Sequence, residues 1–236
     1  MTNPPPEKTV GETQIYIVRR AATAPELTAD AAAAGWSAAD LARVNRFHPR
    51  SGDHRPEVSA RLLYGEDALF LQFRVVTDRY VRVVATQFME PVYRDSCVEF
   101  FVRPRADRGY FNFEINAGGA LLASHVMDWR RDEKGLADAR PLSPAAAKTV
   151  RIAATLPPVV NPEQPGPLTW VIAARIPYAV FEPFIGPTVP RPGDEWQANF
   201  YKCADGTSHP HWASWNPIGE RLNFHCPEQF GRLRFA

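Results

Sequence analysis

Residues Val92 to His125 read VYRDSCVEFFVRPRADRGYFNFEINAGGALLASH and contain two runs of strict alternation. In Cys97–Arg103, Val98, Phe100 and Val102 take one side, and Cys97, Glu99, Phe101 and Arg103 take the other. In Tyr110–Asn116, Phe111, Phe113 and Ile115 oppose Tyr110, Asn112, Glu114 and Asn116. A period of two is that of a β-strand. If the loop at 104–109 closes the runs as a symmetric antiparallel hairpin, Phe100 meets Phe113, Val102 meets Phe111 and Val98 meets Ile115. The apolar sides then coincide, and Glu99 stands directly opposite Glu114. Two facing carboxylates repel unless a cation, a shared proton, an arginine or a polar ligand compensates them. Arg74, Arg82 and Arg103 are the candidate neutralising arginines. Continuing the pairing through the glycines at 118 and 119 puts Leu122 opposite Glu114 on the polar side, so either a bulge shifts the third strand or that face is partly covered.

Outward from this hairpin, strand follows strand. Segments 58–63 and 68–76 flank the turn composition Tyr64-Gly65-Glu66-Asp67, and 149–155, 169–176, 196–201 and 232–235 read as further strands. Such a succession without intervening helices predicts an all-β fold, an antiparallel β-sandwich with long Pro-rich loops. One short N-terminal helix is expected over 38–46, with Ser37 as N-cap, Asp40 completing a capping box and Trp36 stapling onto Leu41. The loop at 47–56 would leave His48 and His54 in solvent, and the charged segment 128–140 reads as a loop or fringe helix. Residues 1–13 are expected to be flexible and 14–236 to form a single domain.

The chain has 236 residues, 45% of them apolar, and a formal net charge of +1. That is enough to build a core, and it gives no electrostatic reason to expect nucleic acid or an anionic membrane. No apolar run reaches the ~20 residues of a membrane helix, nor is there a signal-peptide core. Cys97, Cys203 and Cys226 form no disulfide framework. Cytoplasmic residence is the expectation, and oligomeric state is left open. The 23 prolines, about twice the usual share, indicate long surface loops on a rigid frame.

Four motifs occur in order: 92–101 and 110–116 of the hairpin, Ala198-Asn199-Phe200-Tyr201-Lys202-Cys203, and Ser214-Trp215-Asn216-Pro217 followed by Phe224-His225 and Phe230-Gly231. With them the chain resembles the carbohydrate-binding family 9-like proteins, in their stand-alone, leaderless branch. The resemblance covers most of 57–236. It implies a jelly-roll sandwich that holds sugar between aromatic rings, structural calcium, and a role in carbohydrate catabolism.

A pyranose offers an apolar C–H face and a hydroxyl rim, so its site needs a flat aromatic and fixed polar groups. Glu99, Asn112, Glu114 and Asn116 stand on the polar face, joined by Asn199 and Tyr201 if Phe200 points inward. Tyr93, Trp129, Trp212 and Trp215 are the aromatic candidates; for each tryptophan the alternative is core packing or loop anchoring. The partner would be a mono- or oligosaccharide. The calcium implied by the relatives would take Asp95 among its oxygen ligands. Two other readings compete with binding. Carboxylates ~5 Å apart match the spacing of retaining glycosidases, which would make Glu99 and Glu114 catalytic. Cys203, His209, His211, His225 and Cys226 have the donor types of a zinc site, without its spacing.

Overall fold

A computed structural model of the chain describes residues 12–133 and 135–236. The stretch 1–13 expected to be flexible lies, but for its last two residues, outside them. The chain opens with β1 (Ile15–Arg20), the two-residue β2 (Ala42–Arg43) and β3 (Arg46–Phe47), then β4 (Glu57–Tyr64), β5 (Ala68–Asp78) and β6 (Val81–Val83). The central hairpin is β7 (Cys97–Arg103) and β8 (Tyr110–Asn116), extended by β9 (Leu121–Asp132) and β10 (Gly135–Pro141). Then come β11 (Arg151–Ala154), β12 (Val160–Gln164), β13 (Leu168–Pro177), β14 (Glu195–Cys203), β15 (Trp212–Ser214) and β16 (Gly231–Phe235).

Two layers result, in the order β10-β9-β8-β7-β14-β16 and β4-β5-β13-β11. They are joined through β1, which pairs with β16 along Ile15–Val18 and with β4 at Arg19 and Arg20. The inward side chains of both layers form one core: Val98, Phe100, Phe113 and Phe200 from one, Leu71, Phe73, Ile172 and Ala174 from the other. Phe73 meets Phe200 edge to face across the layers, ring centres 6.0 Å apart. At ~25 cal/mol per Å² of apolar surface removed from water, this alternation is what holds the sandwich shut.

The hairpin register is the one the apolar pattern demands. Glu99 pairs with Glu114, Phe100 with Phe113, Val98 with Ile115. Beyond the glycines, Ile115 pairs with Leu121 and Glu114 with Leu122 without a shift, so no bulge intervenes. The other alternative holds, and the polar side is partly roofed.

Two expectations require correction. The helix at 38–46 is absent: one 3₁₀ turn, Trp36–Ala38, precedes the short strands β2 and β3. Its N-cap position is Gly35, with no side-chain cap, and Asp40 pairs with Arg19 instead. Ala42 and Val44 are buried against the sandwich while Leu41 is exposed, so sheet-edge pairing outweighed the local capping pattern. The charged stretch 128–140 is the β9–β10 hairpin. Its charge is that of an edge, where Asp128–Arg130 and Asp138–Arg140 pairs keep the strands wet.

Candidate functional site

The polar side of the β8-β7-β14 sheet is covered at one end and open at the other. The segment between β15 and β16 lies over the covered end: Ile218 and Phe230 pack on Phe101, Tyr110 and Tyr201, with Phe224 and Leu222 beside them. Phe224 stacks on Tyr201 at 4.1 Å, and the Tyr201 hydroxyl donates to the Phe224 carbonyl. Asn199 pins this roof. Its amide donates to the Asn216 carbonyl at 3.0 Å and its Oδ1 accepts from the Asn216 N–H at 2.9 Å.

The open end is a cavity of about 570 Å³ with Glu99, Asn112 and Glu114 on its floor. Tyr93, Asp205 and Trp212 stand around it. That volume lies within the ordinary range of small-ligand sites. The Asn112 amide donates to Glu114 Oε1 at 2.8 Å, and the Cys203 thiol to Glu99 Oε1 at 3.0 Å. Trp212 is held upright by its indole N–H, 2.6 Å from Asp205 Oδ1. The Tyr93 and Asp205 segments are stitched together, since the Asp205 N–H donates to the Tyr93 carbonyl. Tyr93 itself is 40% exposed, at the rim.

None of the arginines expected to neutralise the glutamates reaches them. Arg82 pairs with Asp95, Arg103 bonds Gln197 and the Ala106 carbonyl, and Arg74 lies on β5 of the other layer. Burial instead disfavours the ionised form of both. Burial, followed by the Cys203 and Glu114 charges, pushes Glu99 well above the carboxylate range, and burial pushes Glu114 up to about 7. Asp205 is raised as well, chiefly by burial. Retaining hydrolysis needs one carboxyl kept as acid and its partner kept ionised. Here both move the same way, on neighbouring strands of one floor.

Of the residues expected in the site, Tyr93, Glu99, Asn112, Glu114 and Trp212 converge on the cavity; the others have structural work. Asn116 ties the hairpin to Asp95 and to the Ala85 carbonyl, and its Oδ1 accepts from Gly118 and Ala120. Asn199 and Tyr201 lie under the roof. Trp129 packs 6.4 Å from Tyr110 as an anchor. Trp215 is core: it meets Tyr16 and Phe200 edge to face and lies so close on Gly231 that a Cβ there would stand 2.4 Å from the ring. Asp95 offers no calcium site, because its two oxygens are taken by Arg82 at 2.6 Å, the Val84 and Ala85 N–H groups and Asn116. A guanidinium already fills the cation's place, so the donor set does not fit the metal.

The zinc set disperses too. Cys203 faces Glu99, His209 stacks on Tyr80, His225 Nδ1 lies 2.6 Å from the Tyr110 hydroxyl, and His211 bonds Lys202. His48 and His54, expected in solvent, are drawn inward. His48 Nε2 lies 3.0 Å from the Glu220 carbonyl and His54 Nε2 lies 2.9 Å from Asp78. Asp205 was not singled out from sequence; its signal was its place at the turn directly after β14.

A β-sandwich whose one polar sheet face carries an aromatic-walled pocket is the architecture of the carbohydrate-binding modules. The chain belongs to carbohydrate-binding family 9, whose model matches residues 32–235. Among solved structures it resembles a candidate carbohydrate-binding protein from Bacteroides uniformis, with a TM-score of 0.82, 28% identity, and 95% of this chain and 100% of that one covered. A family 9 carbohydrate-binding module from Caldicellulosiruptor kristjanssonii, solved with cellotriose and with glucose, shares the fold at a TM-score of 0.62 and 13% identity. The cellotriose complex covers 94% of both chains; the glucose complex covers 94% of this chain and 96% of its own. Among the curated proteins compared, none matches.

Proposed function

We propose that the cavity over Glu99 and Glu114 is the sugar site of this carbohydrate-binding protein, and that it binds without cleaving. The ring would lie against Trp212 with Tyr93 at its edge, and Glu99, Asn112 and Glu114 would hold hydroxyls. The observation that carries this reading is the pair of floor acids. They are buried and turned to an open cavity, and among the described residues neither is held in an ion pair. A neutral carboxyl both donates and accepts, which suits a hydroxyl. Cytoplasmic residence agrees with Cys97 and Cys203, which face each other across β7 and β14 as free thiols.

Calorimetric titration with glucose, cellotriose and a panel of other sugars tests the reading. Binding is expected with and without chelator, with no product released. Trp212→Ala is expected to weaken it by about tenfold. Failure of every sugar to bind, or binding unaltered by Trp212→Ala, overturns the assignment.

A further inference from the structure

Three arginines reach the same cavity from unrelated segments. Arg50 comes from the loop after β3, Arg131 from the far end of β9, and Arg221 from the roof between β15 and β16. All three are exposed. Among the described residues none has an ion pair or a side-chain hydrogen bond, although Arg19, Arg82 and Arg175 elsewhere each hold an acid. The acids lining the same cavity are Glu99, Glu114 and Asp205. The guanidiniums are charged at any ordinary pH, whereas burial disfavours the ionised form of the acids beneath them. The cavity therefore has a floor of acids whose charge burial disfavours, Arg131 being the cation that acts on Glu114, and a mouth of three guanidiniums that no described acid holds in an ion pair. A neutral sugar answers only the floor.

We infer that this pocket selects an anionic sugar, its charge carried by a uronate carboxylate or a sulfate ester set against Arg50, Arg131 and Arg221 while its hydroxyls meet Glu99 and Glu114. The inference rests on the carbohydrate-binding reading of the same pocket. A planar guanidinium grips carboxylate or sulfate oxygens in pairs, which gives direction as well as attraction.

Titrating glucose, glucuronate, glucose 6-sulfate and cellotriose into the full chain, at low and at physiological salt, separates the two levels. At least one anionic sugar is expected to bind about tenfold tighter than glucose, with the preference shrinking as salt rises. In the Arg131→Met/Arg221→Met double variant the ratio of anionic to neutral affinity is expected to collapse toward one. Both positions are exposed, so an unchanged melting temperature will show that the variant is folded. Glucose or cellotriose binding as tightly as the anionic sugars overturns the inference and leaves the carbohydrate reading standing. A preference that survives the double variant removes it from the arginines. Binding of none of the four sugars overturns the inference, and the carbohydrate reading falls with it only when the wider panel fails as well.

Discussion

Two groups of buried ionisable side chains lie near the end of β14, on opposite faces of the sheet. Lys202, pointing between the layers, sits 3.8 Å from Asp78 and 2.9 Å from His211, and donates to the Cys203 carbonyl. Asp78 is further bonded by the Trp170 indole at 2.8 Å and approached by His54. Burial works against its charge, yet Lys202 and these donors prevail and hold its carboxyl down at about 2. His211, neutral because burial and the ammonium press its pKa to about 3, accepts from Lys202 and donates from Nδ1 to the His209 carbonyl. His54, Asp78 and His211 approach as metal ligands would, but the ammonium has the seat of the ion. One residue further on, Cys203 faces Glu99 and the cavity, where acids are pushed up instead of down. A closed cluster supplies its own counter-charge. In the open one burial favours the neutral carboxyl instead.

The closed cluster should break hardest. Lys202→Met strands a buried carboxylate and is expected to cost about 3–5 kcal/mol by urea denaturation, with much of the loss recovered in Lys202→Met/Asp78→Asn. Recovery by the double variant is what distinguishes charge pairing from lost packing.

A smaller effect separates the clusters by pH. Glu114 carries a pKa of about 7 in the folded chain against an ordinary 4.5. Below 4.5 folded and unfolded states both hold its proton. Between 4.5 and about 7 only the folded state does, so stability falls as pH rises through that window, by on the order of 3 kcal/mol. Asp78 runs the opposite way: its contribution is complete above the ordinary 3.8 and is lost as pH falls through about 2. Melting temperature should therefore decline on both sides of a maximum near pH 4–5. Glu99→Gln/Glu114→Gln is expected to flatten the upper limb and leave the acid limb intact. An upper limb unchanged in that variant would place the titration elsewhere.

The smallest change is at the rim. Tyr93→Ala should weaken sugar binding by about threefold, since it removes one exposed ring, and shift stability by no more than about 0.5 kcal/mol.

The difference between the clusters also marks how far the sequence could be read. Period-two alternation placed Glu99, Asn112 and Glu114 on one face, because strand geometry is local and the apolar sides admit one register; that Phe200 points inward was only a condition until the core showed it. It could not say that Asn116, Asn199 and Tyr201, on that same face, would be consumed by a turn and by the roof. Those contacts join residues far apart in the chain. Trp212 and Trp215 were equal candidates in the sequence, and which of them met the cavity depended on Gly231 lying against the other. Lys202 carried no signal of its partners, which come from β5 and the loop after β14. The helix at 38–46 failed for the same reason, a sound local pattern overruled by edges waiting to be paired.

The pairing of β1 with β16 has a consequence for synthesis. Among the described residues, the strand that couples the layers precedes every other strand, while its neighbour in one of them, residues 231–235, follows them all. Until those residues are added, β1 has only its two-residue hold on β4, and the sheet carrying the cavity ends at β14. Completing that sheet joins residues 15–18 to residues 232–235, contacts of long sequence separation that form slowly. A nascent chain ending before Gly231 would present β14 as an open edge.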